Sequence, residues 1–110
     1  MVDVCDIDGA LDKIAEEHFL GQKLHPKIVF YRQSARYFIH EKIKSGEQYD
    51  MIFIDAYNGK ISVPSELLTK EFFDSVKLLS RGTIAMNLII DSSWQSDFAR
   101  KLSNTLSASL

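Results

Sequence analysis

Apolar positions along this chain come in two alternating rhythms: short continuous runs, and longer stretches with a period near 3.6 residues. The first run, residues 2–7, predicts a strand, and residues 9–20 then place Ala10, Leu11, Ile14, Ala15, His18 and Phe19 on one helical face. Asp8 is positioned to cap that helix and Gly21 to stop it. Beyond Pro26, Lys27 to Arg32 reads as a second strand, and residues 34–45 return to the helical period through Ala35, Phe38, Ile39 and Ile43 before Ser45-Gly46 closes the element. A third strand over 50–55 lies in the run Tyr49-Asp50-Met51-Ile52-Phe53-Ile54-Asp55-Ala56-Tyr57. Residues 56–64 have no period and carry Asn58-Gly59 and Pro64, which predicts a loop. Thr69 reads as the cap of a helix over 70–80, with Phe72, Phe73, Val76 and Leu79 inward. Gly82 opens a fourth strand through Thr83 to Ile90, and Asp91 or Ser92 caps a last helix, over about 92–104, that holds Trp94, Phe98 and Leu102. The tail 103–110 is weakly amphipathic and is expected to fray.

Strand and helix alternate four times. That order predicts an α/β fold with a parallel sheet, right-handed crossovers and helices on both faces. The continuous apolar runs at 51–54 and 88–90 suit strands covered on both sides. With 110 residues the chain fits one domain.

Composition narrows the function classes. An apolar share of 45% against 25% charged residues suits a packed globular domain and excludes a disordered one. No apolar run reaches the roughly 18 residues that a membrane span needs. The opening residues carry acids where a secretory leader would have a basic start. The single cysteine, Cys5, cannot form an internal disulfide and reads as a small mid-strand core residue. These features predict a cytoplasmic protein. A net charge of −2 without a basic block argues against nucleic acid as a partner. His18, His25 and His40 share no metal-ligand spacing, so no metal site is expected.

Ligand crevices of open parallel sheets lie outside the carboxyl ends of the strands. Two acids are predicted there. Asp6 ends the first strand, where a carboxylate can accept two ribose O–H bonds; the competing reading is that Asp6 and Asp8 only cap the following helix. Asp55 ends the third strand, where it could position an amine or take its proton; the competing reading is a solvated loop aspartate. Tyr57 and Asn58 follow and could hydrogen-bond a substrate, while Ser34 and Arg36 at the exit of the second strand could touch a base or cap a helix. The five glycines are isolated, so no glycine-rich phosphate loop is present.

Three segments taken in order are more specific than any one. Val4-Cys5-Asp6-Ile7-Asp8, the run from Tyr49 to Ala56, and Pro64-Ser65-Glu66-Leu67-Leu68-Thr69-Lys70-Glu71-Phe72-Phe73 together resemble the polyamine aminopropyltransferase (spermidine synthase) superfamily. Leu68 to Phe73 and Ala85-Met86-Asn87-Leu88 resemble its spermidine synthase-like members in particular, and the similarity spans about residues 2–90. The resemblance implies a Rossmann-like fold shared with S-adenosylmethionine-dependent methyltransferases. It also implies a transferase that moves an aminopropyl or methyl group from decarboxylated S-adenosylmethionine, or from S-adenosylmethionine itself, to a small acceptor such as a polyamine.

Carried over by position, Asp6 falls on the family's ribose-binding acid, and Ile7 would pack on adenine. Ser34-Ala35 falls where the family has an aspartate followed by a small residue, so Ser34 cannot offer the adenine amino group a carboxylate. Asp55 matches the catalytic aspartate, with Tyr57 beside it. Asn58 stands where true spermidine synthases often have a second aspartate, which weakens the match to a diamine. The family's glycine-rich loop follows a strand that would precede residue 1 and lie between the strands of residues 2–7 and 50–55. The chain therefore reads as a single partial Rossmann-like domain, core 2–90. Its open strand edges invite pairing with another copy, so a homo-oligomer is expected. The rival readings are a catalytically inert dimerisation or interaction module and a receiver-like domain with metal-binding acids. The second of these lacks a lysine at the end of the fourth strand.

Overall fold

The computed structural model describes residues 1–57, 63–90 and 93–110. Asn58 and Gly59, and the expected caps Asp91 and Ser92, lie outside these. The chain divides into two compact units, Met1–Phe38 and Ile39–Leu110.

In the first unit, β1 (Val2–Asp6) pairs in parallel with β2 (Ile28–Arg32), in register from Val2 opposite Ile28 to Asp6 opposite Arg32. The helix between them departs from expectation. α1 covers only Leu11–Ile14, and over Ala15–Leu20 the winding widens to a π-helix that ends at Gly21 with φ 62°. Loss of the 3.6-residue period at Ala15 turns the remaining side chains, so Phe19 is 82% exposed and His18 is exposed rather than inward. Glu16 anchors the outgoing chain: its carboxylate accepts from the Leu24 N–H at 2.9 Å and pairs with Lys23 at 3.1 Å.

α2 (Ala35–Lys44) spans the boundary between the units. Tyr31 meets Phe38 edge-on with ring centroids 5.0 Å apart. The helix stops where Gly46 takes φ 75° and returns its N–H to the Ile43 carbonyl.

In the second unit, β3 (Tyr49–Ile54) pairs in parallel with β4 (Ser80–Met86). Tyr49 faces Ser80 but Met51 faces Thr83, so β4 carries one extra residue and bulges opposite Asp50. The parallel pairing follows expectation, whereas β4 begins earlier and stops before Asn87 rather than running to Ile90. Residues 88–90 continue the apolar run without strand pairing, because apolar content alone does not separate a strand from a loop. β3 is also not covered on both faces: Met51 and Phe53 are 61% and 62% exposed, whereas Ile54 is buried. The strands thus form two parallel two-stranded sheets in an α/β chain, which is compatible with a Rossmann-like fold.

α3 (Lys70–Leu79) begins as expected, with Thr69 Oγ1 accepting from the Phe72 N–H at 3.2 Å. Its apolar stripe Phe72, Phe73, Val76 and Leu79 is buried with Ile39, Ile54, Val63, Leu67, Ala99 and Leu102. All these buried apolar residues belong to the second unit. α4 (Asp97–Ser109) starts later than expected, capped by Ser96. Trp94 therefore precedes the helix, half exposed at φ 57°, instead of packing from within it. The tail does not fray: Ser109 is buried, its hydroxyl donates to the Lys70 carbonyl, and its own carbonyl accepts from Lys77.

Candidate functional site

The residues expected to act fall into two groups, one in each unit. In the first, parallel pairing brings the carboxyl ends of β1 and β2 to one edge, where Asp6 stands in the last rung and Ile7, Ser34 and Ala35 follow it. The Gln33 N–H donates to the Asp6 carbonyl at 3.1 Å, extending the ladder one step and setting Ser34 beside this edge.

Asp6 Oδ1 accepts from the Asp8 N–H at 2.8 Å, and Asp8 Oδ1 accepts from the Ala10 N–H at 3.0 Å. These are successive Asx turns that bend the chain away from the sheet. Asp8 is thus a turn residue rather than the helix cap, and the helix has Ala10 at its N-cap with no side-chain bond. Ile7, which follows Asp6 in the chain, is 80% exposed and presents an apolar surface. Ser34 Oγ accepts from the Tyr37 N–H at 3.3 Å, so the capping alternative describes its contact. Ala35 is the first residue of α2.

Arg32 extends from the end of β2 past Gly9, where a methyl group would lie 3.1 Å from its Cδ, and pairs with Asp12 at 2.8 Å. That hydrogen bond holds the Asp12 carboxyl below its usual range. An apolar groove of about 380 Å³ runs between the strands and the first helix, lined by Val4, Leu11, Ile14, Phe19, Ile28 and Phe30, with Asp6 and Asp12 at its border. On the opposite face of β1, Cys5 donates to the Gln33 carbonyl, and burial raises its thiol above the usual range.

The second group stands at the carboxyl ends of β3 and β4. Asp55 follows β3 directly and is exposed. The Asn87 N–H donates to the Ile54 carbonyl at 2.9 Å, which carries the pairing one residue beyond Met86. Asn87 Nδ2 then donates to Asp55 Oδ1 at 2.9 Å, and the Tyr57 hydroxyl donates to the Asn87 carbonyl at 2.8 Å. Asp55 and Tyr57, both expected from sequence, thus meet through Asn87, to which the sequence assigned no chemistry. The signal that could have found it was the register: the first residue past β4 must sit beside the first residue past β3. Among the described residues, no group of three or more metal-ligating side chains could hold an ion. No described helix is long and apolar enough to cross a membrane.

No protein-family model matches the chain. It is 35% identical over 88 residues to the polyamine aminopropyltransferase of Vibrio vulnificus (strain CMCP6). The match takes in 78% of this chain, and the chain spans 29% of the length of that curated relative. Together with the strand-end acids on parallel strands, this similarity supports a spermidine synthase-like relationship for the chain.

Proposed function

We propose that this chain is a partial Rossmann-like transferase domain of the spermidine synthase-like kind. It would move an aminopropyl or methyl group from decarboxylated S-adenosylmethionine, or from S-adenosylmethionine, to a small amine such as a polyamine. The observation that carries this reading is the Asp55–Asn87–Tyr57 cluster at the carboxyl ends of two parallel strands, in a chain related to a polyamine aminopropyltransferase.

The first unit suits the nucleoside of such a co-substrate. Asp6 uses Oδ1 in a turn and has no second side-chain bond among the described residues, so Oδ2 can accept a ribose hydroxyl. Ile7 offers an exposed apolar surface for a base, and Ser34 and Ala35 border the same edge without adding a charge. When bound, the co-substrate supplies a sulfonium whose neighbouring carbon is electrophilic. Proximity and orientation are the main contribution a protein makes to such a displacement, and each group of residues would orient its own reactant. Asp55 would accept a proton from the attacking amine, because a protonated amine has no lone pair to give. Tyr57 would close the cluster beside it. The Ser34 and Asn58 departures favour a member that is not a true spermidine synthase. We further propose a cytoplasmic, homo-oligomeric protein.

Isothermal calorimetry of the folded chain with S-adenosylmethionine and its decarboxylated form tests this reading. A saturable heat with either is expected, reduced by Asp6→Ala. A flat titration at millimolar ligand would remove nucleoside binding from this chain.

A specific observation favours a second reading, an interaction module. Met51 and Phe53 present adjacent exposed apolar side chains on one face of β3. Light scattering after size exclusion tests this second reading: it requires a dimer that Phe53→Lys dissolves, and a monomer at all concentrations ends it.

A further inference from the structure

We propose that Asn87 is a positioning residue for the Asp55 carboxylate. The inference rests on the transferase reading, since it concerns the group assigned there to receive the amine. Asn87 is held at three points. Its N–H donates to the Ile54 carbonyl at 2.9 Å, its carbonyl accepts from the Tyr57 hydroxyl at 2.8 Å, and its side-chain Nδ2 donates to Asp55 Oδ1 at 2.9 Å. The backbone is thus fixed before the side chain acts, and the amide is presented from a rigid base.

Asp55 needs such a partner. It is exposed, it begins a loop, and the terminal torsion of an aspartate is broad and roughly two-fold. An ionised carboxylate only accepts hydrogen bonds, so the amide must turn its NH2 toward Asp55. One fixed bond to Oδ1 sets the plane of the carboxylate and leaves Oδ2 to the ligand. Among the described residues no other hydrogen bond reaches the Asp55 side chain. A neutral donor also differs from a cation at this position. A lysine or arginine would compete with an incoming ammonium for the same charge, whereas the amide orients the carboxylate without neutralising it. Asn87 therefore acts through Asp55 and touches no reacting atom in this assignment.

The test uses isotope-labelled chain and two NMR readouts. The first is the Asn87 side-chain NH2 signal, which is expected to move in Asp55→Ala. The second is the Asp55 carboxyl carbon during titration with propane-1,3-diamine. The wild type is expected to respond saturably. Asn87→Leu should weaken the apparent affinity about 10-fold, the scale of one hydrogen bond to a charged group, and Asn87→Gln should recover part of it. If Asn87→Leu loses the dispersed amide pattern of a folded chain, Asn87→Ala provides the same measurement. Equal diamine affinity in the wild type and a folded Asn87 variant, or an NH2 signal indifferent to Asp55→Ala, would overturn the positioning role and leave the transferase reading standing. A wild-type Asp55 that ignores the diamine would instead overturn the amine-receiving role of Asp55, and this inference with it.

Discussion

The carbonyl oxygen of Asp50 occupies the space that a side chain at Gly82 would need: a methyl group there would lie 2.1 Å from it. The cause is the bulge in β4, which sets two residues, Arg81 and Gly82, against the single Asp50. Arg81 reaches over to the Asp50 carboxylate with two hydrogen bonds, at 2.7 and 3.2 Å, while Gly82 lets the backbones approach. The bulge sets the register that later places Asn87 beside Asp55.

Gly82→Ala is accordingly expected to destabilise the chain by about 1–3 kcal/mol, the range for added volume that forces the backbone to shift. Urea unfolding followed by far-ultraviolet circular dichroism checks this. A midpoint equal to the wild type would mean that the strands separate without cost.

The apolar contribution is concentrated in α3. Phe73 is 2% exposed, whereas Leu78 on the same helix is 67% exposed. Phe73→Ala should cost about 3–5 kcal/mol through lost burial and the cavity left behind. Leu78→Ala should stay within about 0.5 kcal/mol. Similar losses for both in the same unfolding assay would contradict the inward face assigned here.

Caps offer a finer measurement. Thr69 and Ser96 each accept a hydrogen bond at the start of a helix, from Phe72 and Ala99 respectively. Thr69→Ala and Ser96→Ala should each cost about 1 kcal/mol, and Thr69→Asp should retain most of the cap. Thermal unfolding of the three variants side by side tests the assignment.

Acid should weaken the fold. The Asp50 carboxyl is held below its ordinary value of 3.8 by the hydrogen bond and charge of Arg81, and that of Asp74 chiefly by the hydrogen bond from Lys70. Glu16 lies below 4.5, chiefly through the Leu24 N–H. Each binds a proton less readily folded than unfolded. Their stabilisation is therefore present above the unfolded-state value and is lost as pH falls through the lower folded-state value. The Asp50 carboxyl faces solvent and that of Asp74 is half exposed, so salt should shrink their effect. Urea midpoints taken from about neutral to about pH 3 should fall, and Asp50→Asn should flatten part of that slope. An unchanged slope in the variant would remove the Arg81 pair from the cause.

For the proposed chemistry, Asp55→Asn keeps the shape and removes the proton acceptor. Transfer should drop by about 100-fold or more, the usual contribution of a general base, while co-substrate affinity stays near that of the wild type. Single-turnover assays beside calorimetry separate the two quantities. Unchanged turnover would take Asp55 out of the reaction.

Local chemistry made much of this protein legible along the chain. Strands β1, β2 and β3, the Thr69 cap, the inward stripe of α3 and the glycine stops at Gly21 and Gly46 all follow from period, capping and turn preference, which act over a few residues. Asp6 and Asp55 could be placed at strand ends for the same reason. Other features required partners distant in sequence. The π-helical stretch at Ala15–Leu20 and the early stop of β4 at Met86 leave no periodic trace, because the apolar residues there satisfy either winding equally well. Whether β3 is covered on one face or two depends on what packs against Met51 and Phe53, not on their hydrophobicity. The Asn87–Asp55 contact spans 32 positions, and it exists because two parallel strands end in register, which only the assembled backbone decides.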